Sequence, residues 1–284
     1  MKRLTLSILV IIVLVSFQTL QAQRYQQERL EKSFDIPRDK TLQVRLDVDV
    51  GEVVVEKNPK SNNAFVSILY TRDEFDADVD YDKKDSELRI YFDKRGFDFD
   101  RDKNRKMEAR VEVRLPTEPE IEFYTKVKAG EIDMDLGGLR LKNFTLKTWA
   151  GETDLDFSEP NLVEMEYLEV NLKVGESRLN NLGNAKFKEA DINGGIGELT
   201  VDFSGESIQP ARVRIDLDIG ETTIILPRKV GVKMSVSKFL FLTEVDIPEG
   251  FRRSGRYYYS ENYDKSAEGL YLKINQGIGE LRFE

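Results

Sequence analysis

Apolar and polar residues alternate along most of this chain, and a Gly-Glu pair interrupts the alternation at regular intervals. Seven of these pairs mark the interruptions: Gly51-Glu52, Gly130-Glu131, Gly151-Glu152, Gly175-Glu176, Gly197-Glu198, Gly220-Glu221 and Gly279-Glu280. By subtraction, the five central pairs lie 21, 24, 22 and 23 residues apart. A repeat of that length is one supersecondary unit that cannot bury its apolar face alone, so units stack. The residue before each Gly is apolar in all seven copies: Val50, Ala129, Ala150, Val174, Ile196, Ile219 and Ile278. So is the residue four after it: Val55, Met134, Leu155, Leu179, Val201, Ile224 and Phe283. Five before the Gly, only Thr125 departs from an apolar column.

Inward positions are therefore odd before the Gly and even after it. A straight strand alternates strictly, so the chain must turn or bulge at Gly-Glu. Glycine takes positive φ without steric cost, which suits it to such a corner. Two buried columns are expected, one through Ala150, Val174, Ile196 and Ile219, the other through Leu155, Leu179, Val201 and Ile224. Helix is excluded over this region because inward positions are rich in β-branched and aromatic residues and lack a 3.6-residue period. Parallel crossovers are right-handed by default. The predicted fold class is all-β: a right-handed β-solenoid with short coils of about 22 residues and an N-terminal hairpin insertion.

Four segments follow. Lys2-Arg3, the apolar stretch 4–17 and the small residue Ala22 make residues 1–22 a secretory signal peptide, cleaved near Ala22. A retained anchor is the competing reading, but the apolar run falls short of the ~20 residues that span a bilayer. Residues 23–119 hold an N-terminal β region with the first coil. Two alternating runs, 64–70 and 88–92, read as an inserted hairpin, and a third, 109–115, returns to the stack. Residues 120–228 are the regular solenoid, and 229–284 a less regular C-terminal coil region closed by the seventh pair.

Charge and composition narrow the partners. Removal of Lys2 and Arg3 leaves 41 basic residues against 52 acidic, a balance of −11. That argues against nucleic acid and anionic membrane surfaces. It leaves cations, basic proteins or neutral glycans open; the expected partner is an envelope protein or a glycan, with self-association through the solenoid ends as a further option. No Cys and no His is present, so disulfides, thiolate or imidazole metal sites and His-based catalysis are out of reach. No catalytic, cofactor-binding or metal residue is assigned.

Several patterns were weighed for chemistry. Ser235-Val-Ser-Lys238 matches S-x-x-K but lies in strand sequence without its companion motifs. Asp76, Asp78, Asp80 and Asp82, with Glu87 at position twelve, partly match a calcium loop, yet Tyr81 stands where that loop needs Gly. The alternation with Phe75, Ala77, Val79 and Tyr81 is that of a strand with one solvated face. Asp98, Asp100 and Asp102 alternate with Phe97 and Phe99 in the same way. Stacked coils in register would place the corner glutamates ~4.8 Å apart. Like charges so close repel by about 1 kcal/mol even in water. Backbone N–H donors, Lys128, Lys173 or bound cations are the expected compensation, the simplest being a local turn hydrogen bond to each Glu. Between residues 251 and 263, Arg252, Arg253 and Arg256 adjoin Tyr257, Tyr258, Tyr259 and Tyr263. Arg and Tyr are enriched in interface hot spots. The competing expectation is that Tyr257 and Tyr259 pack inward with Tyr258 on the surface.

The segments LPTEPEIEFYTKVKAGEIDMDL, FTLKTWAGETDLDF and LKVGESRL resemble the putative-adhesin "toastrack" family of exported bacterial proteins. The stretches IGETTIILPRKVGVKMSV and SENYDKSAEGLYLKINQGIGELRFE resemble the C-terminal domain of LiaF-like proteins, linked to the response to cell-wall-active antibiotics. The likeness covers most of residues 34–284. It implies a β-solenoid-like fold without known catalysis. The expected function is a non-catalytic envelope binding or scaffold module, linked to envelope stress response or adhesion and placed in the periplasm or on the cell surface. The alternative is a carbohydrate-active enzyme on a β-helix scaffold. Such enzymes build their sites on long loops, whereas connections between residues 120 and 226 are short.

Overall fold

A computed structural model describes residues 27–58, 60–96, 109–206, 209–238, 243–264 and 269–284. The predicted signal peptide and Asp98, Asp100 and Asp102 lie outside the described residues. The strands are β1 (Gln27–Asp35), β2 (Leu42–Asn58), β3 (Asn63–Thr71), β4 (Phe75–Asp82), β5 (Glu87–Lys94) and β6 (Ala109–Pro116). The five that follow, β7 (Ile121–Asp135), β8 (Leu141–Asp156), β9 (Met165–Asn180), β10 (Phe187–Asp202) and β11 (Ala211–Ile225), form the regular stack. Then come β12 (Val232–Lys238), β13 (Thr243–Val245), β14 (Arg252–Ser254), β15 (Tyr257–Tyr259) and β16 (Leu270–Phe283).

Each long strand is one coil, bent into two arms at its Gly-Glu. From β7 to β11 and on to β16 neighbouring coils pair parallel, Gly on Gly and Glu on Glu. Gly151, Gly175, Gly197 and Gly220 have φ between +130° and +144°, as the parity slip requires. A second constraint acts on the same atoms. A Cβ built on Gly175 would lie 1.8 Å from the carbonyl oxygen of Gly151 in the coil below. Side chains are thus excluded at this column by backbone conformation and by stacking together.

In β9, Leu168, Val170 and Leu172 point inward before the corner and Ser177 and Leu179 after it. Four residues in between, Lys173–Glu176, turn outward. One predicted column is therefore confirmed: Leu155, Leu179, Val201 and Ile224 are fully buried. The other is corrected. Ala150, Val174, Ile196 and Ile219 do stack in register. They sit on the outside of the bend, however, with Val174 and Ile196 each 52% exposed and Ile219 47%. The slip in parity is produced by extra outward residues, and the position before the Gly is one of them.

A third side closes each coil without a regular strand. Leu136, Leu139, Phe157, Leu182 and Phe203 fill it from within. Buried asparagines hold the backbone there. Asn161 accepts from the Leu141 N–H at 2.8 Å and donates to the carbonyls of Leu141 and Val163. One coil further on, Asn184 donates to the Phe157 carbonyl and accepts from the Glu206 N–H. Buried backbone groups that no strand serves are satisfied this way.

Both ends of the stack depart from sequence order. β5 pairs the first arm of β2 and β6 the second. The inserted hairpin is β4–β5, not the two runs expected to form it: 64–70 lies in β3, which pairs β1 and β6, and 88–92 lies in β5. β5 and β6 also serve as the two arms of the outermost coil, and β2 lies between them and β7. The other end mirrors this, with β16 between β11 on one side and β12 and β13 on the other. Antiparallel strands cap the N-terminal end: β4 on β5, and β3 then β1 on β6. Phe34 on β1 meets Tyr81 on β4 with ring centroids 5.7 Å apart, and Phe75 stacks on Phe92 at 4.7 Å.

Candidate functional site

The outer corner carries two parallel rows separated by the bare glycine backbone. The first is the glutamate row, in register from Glu52 through Glu131, Glu152, Glu176, Glu198 and Glu221 to Glu280. Its ends are compensated. Arg110 contacts Glu52, and Arg282 binds both oxygens of Glu280 at 2.5 Å and approaches Glu221 at 4.0 Å. The middle is not. Glu131, Glu152, Glu176 and Glu198 are exposed and, among the described residues, make neither the expected turn hydrogen bond nor an ion pair. Lys128 pairs instead with Asp49, and Lys173 has no carboxylate partner.

The second row is apolar: Val174, Ile196, Ile219 and Ile278, the last 38% exposed. Trp149, 45% exposed, adjoins its N-terminal end. In the column one residue before this row stand Lys173, Gly195, Asp218 and Gly277, so two of the isoleucines are flanked by glycine on both sides. Beneath them lies a slot of about 20 Å³ among Leu172, Gly194, Leu217 and Gln276, room for one water. Gln276 is only 3% exposed, and neither its Oε1 nor its Nε2 has a hydrogen-bond partner. Sequence patterning missed this residue because it occupies an inward column position that Leu172 and Leu217 fill elsewhere.

The tyrosine-rich stretch forms a second surface, with its facing reversed from the expectation. Tyr258 packs against the core, while Tyr257 and Tyr259 lie on the outward face. Alternation on so short a strand sets only relative facing, and pairing of Met234 opposite Tyr258 decides which face is inward. Tyr271, Tyr257, Tyr259 and Tyr263 follow one another with centroids 5.0–6.3 Å apart. Lys233 lies 4.3 Å from the Tyr257 ring centre and 5.1 Å from that of Tyr271, a cation–π arrangement. Arg256 hydrogen-bonds the Tyr257 hydroxyl at 2.6 Å and lowers its pKa. Beside this group an open hollow of about 830 Å³ is bordered by Glu164, Glu166, Tyr167, Lys188, Arg212 and Tyr271, among others. Two of its carboxylates share one lysine. Lys188 binds Glu164 at 2.8 Å and Glu166 at 2.9 Å, and the Glu166 carboxyl stays below its ordinary pKa through that hydrogen bond.

The remaining candidates resolve as strand faces. Asp80 pairs with Arg89 at 2.7 Å and Asp76 with Arg95, while Asp82 accepts the Lys84 N–H of the β4–β5 turn. Among the described residues no group of three or more Asp or Glu converges as a metal would require. Ser235 and Lys238 lie three apart on β12, hence on opposite faces. The two carboxyls with raised pKa, Asp93 and Asp154, are raised chiefly by burial, then by Asp49 and Asp133 respectively. Both sit on strand faces away from the hollow.

Stacked coils with an open, continuous outer corner define a β-solenoid of the repeat-scaffold class. A family model, the N-terminal domain of toast_rack, DUF2154, matches residues 21–167 and again 160–225. The chain belongs to that family. The match stops short of residues 229–284, so the LiaF-like resemblance there is not carried by it. No curated protein matches the chain. Two crystal structures align along most of its length. A putative cell adhesion protein from Clostridium sporogenes is 18% identical, covering 91% of this chain and 99% of its own, with a TM-score of 0.46. A putative adhesin from Bacteroides fragilis is 10% identical, covering 91% and 98%, with a TM-score of 0.43. No function passes to this chain at such distances.

Proposed function

We propose that this protein is an exported, non-catalytic binding or scaffold module of the cell envelope, working through its outer corner. The observation that supports this most is the apolar row of Val174, Ile196, Ile219 and Ile278. A folded protein gains by burying such residues, at roughly 25 cal/mol per Å², yet the chain holds a row of them in water. Large exposed apolar patches mark interaction sites. A role in adhesion or in the response to envelope stress is the reading we favour, on the likeness of the chain's own segments to toastrack and LiaF-like sequences. The outer edges of β1 and β14, at the two ends of the sheet order, offer additional self-association, since unpaired strand edges template further strands. The carbohydrate-active alternative is disfavoured by the hollow's chemistry. Glycoside hydrolysis needs one carboxyl kept neutral by a raised pKa, and Lys188 drives Glu166 the other way.

The test is capture from envelope extract by the mature protein and by its Ile196→Ser/Ile219→Ser variant. The expected result is a protein or glycan retained by the native corner and lost from the variant. Identical capture by both would remove the corner from the function. A reducing-end assay on peptidoglycan gauges the alternative, and turnover abolished by Glu166→Gln would establish it.

A further inference from the structure

We infer that the corner between Val174 and Ile278 is a docking track for a basic amphipathic α-helix of a partner protein, lying along the stack axis. The inference rests on the corner being the binding surface and adds the partner's chemistry. Three independent features of the track select that occupant.

The first is spacing. Val174, Ile196, Ile219 and Ile278 belong to consecutive coils in register. At ~4.8 Å per coil they span about 14 Å in three steps. A helix places side chains i, i+3, i+7 and i+10 on one face over about 15 Å, from ten residues at 1.5 Å each. An extended strand places i, i+2, i+4 and i+6 on one face over about 20 Å. The helix matches the row and the strand outruns it. A helix also needs open ground to lie on, and Gly195, Gly197, Gly220, Gly277 and Gly279 keep the flanks of the isoleucines free of side chains.

The second is charge. Among the described residues Glu176 and Glu198, beside the apolar row, pair with no cation, and on its other side exposed Asp218 shares a column with one cation, Lys173, at the Val174 end. A second copy of this chain would bring two such rows together and be repelled. Anionic lipid and nucleic acid are disfavoured for the same reason. A helix with Lys or Arg on the flank of its apolar face satisfies both rows at once, the helix-in-groove mode of recognition.

The third is the unpaired amide of Gln276 in the slot below Ile219. A buried amide left without partners is costly. It offers both a donor and an acceptor to a polar side chain reaching down from the helix, beside the hydroxyls of Ser177 and Thr222 that line the same slot.

The probe is a synthetic leucine–lysine peptide of about 14 residues, its leucines at helical spacing, titrated onto the full mature protein by fluorescence anisotropy. Binding is expected, with the peptide becoming helical by circular dichroism and the affinity falling as salt rises. Ile196→Ser/Ile219→Ser should weaken it at least tenfold. Glu176→Gln/Glu198→Gln should weaken it and flatten the salt dependence. Glu164→Gln/Glu166→Gln, in the hollow, should leave it unchanged. All of these side chains are exposed, so an unchanged thermal midpoint serves as the folding control. Equal binding by all variants would overturn the proposal. So would stronger binding of a peptide with the same composition in strict leucine–lysine alternation. If the corner variant loses its partner in envelope extract while the helical peptide does not bind native protein, the helix proposal fails and the corner reading stands. If capture is also unaffected, both fail.

Discussion

Two columns of this molecule are alike in sequence and opposite in fate. Leu155, Leu179, Val201 and Ile224 stack one above another with no exposure to solvent. Ala150, Val174, Ile196 and Ile219 stack in the same coils, in the same register, five residues earlier, and face water. Both columns are apolar at every level. Composition alone treats them as equal claims on the core, yet the inner column stabilises the fold and the outer one does not. Side-chain direction at the bend separates them. Between Leu172 and Ser177 four residues in a row point outward, and Val174 is one of them. An apolar column kept outside the core across four coils is not a packing element, which is why we propose it as the binding surface.

The largest break in this comparison should come from the hinge both columns share. Gly175→Ala would put a Cβ 1.8 Å from the Gly151 carbonyl oxygen at φ +140°. Two backbones would have to separate, a cost that side-chain adjustment cannot relieve. We expect destabilisation by more than about 4 kcal/mol in urea unfolding, in the range reserved for severe lesions. A loss under about 1 kcal/mol, typical of an ordinary glycine replacement, would mean that the corner is not held by that approach.

Next in size is the direct contrast between the columns. Leu179→Ala should cost about 2–5 kcal/mol through lost burial and the cavity left behind. Val174→Ala, in the same coil, should fall within about 0.5 kcal/mol of the native protein, as surface changes do. Comparable losses at both positions would erase the distinction between inner and outer column.

Gln276→Leu sharpens the comparison from the other side. Its inward column carries Leu172 and Leu217 in neighbouring coils, and its amide is unpaired. Replacement should stabilise the protein, by about 1–3 kcal/mol if the whole penalty of an unpaired buried group is removed. A loss of stability would show that the amide has a partner in solution.

The smallest effect concerns Asp154, half-buried beside Asp133 in the arm after the corner. Burial, more than its neighbour, raises its pKa in the fold. The charged form is therefore penalised by folding. That penalty is full above the raised pKa and is relieved as pH falls through it, when the folded carboxyl takes up its proton. Asp154→Asn should raise stability at pH 7 by about 0.2–1 kcal/mol, the scale of cross-strand charge effects, and the gain should vanish in acid. A gain that persists at low pH would point to a cause other than ionisation.

The sequence by itself determined the coil length, the corner, the need for glycine there and the inner column. Each of these follows from local chemistry repeated in register: alternation, a parity slip and one residue type that tolerates the bend. It also established the ladder of glutamates, since register copies each coil onto the next. Only the tertiary structure decided the side of the bend on which Val174 and Ile196 lie. A parity slip shows that extra residues are inserted without saying which of them face out. The ends were decided there as well. β16 enters between β11 and β12, and β2 between β7 and the β5–β6 coil, because strand edges pair with whatever edge is nearest in space, and chain order does not record that. The facing of Tyr257 and Tyr259 was set by the partner of β15, and the isolation of Gln276 by its place in register between Leu217 of β11 and Lys238 of β12, neither of which bonds its amide. Each depends on contacts between segments far apart in the chain, and such contacts leave no periodic trace in it.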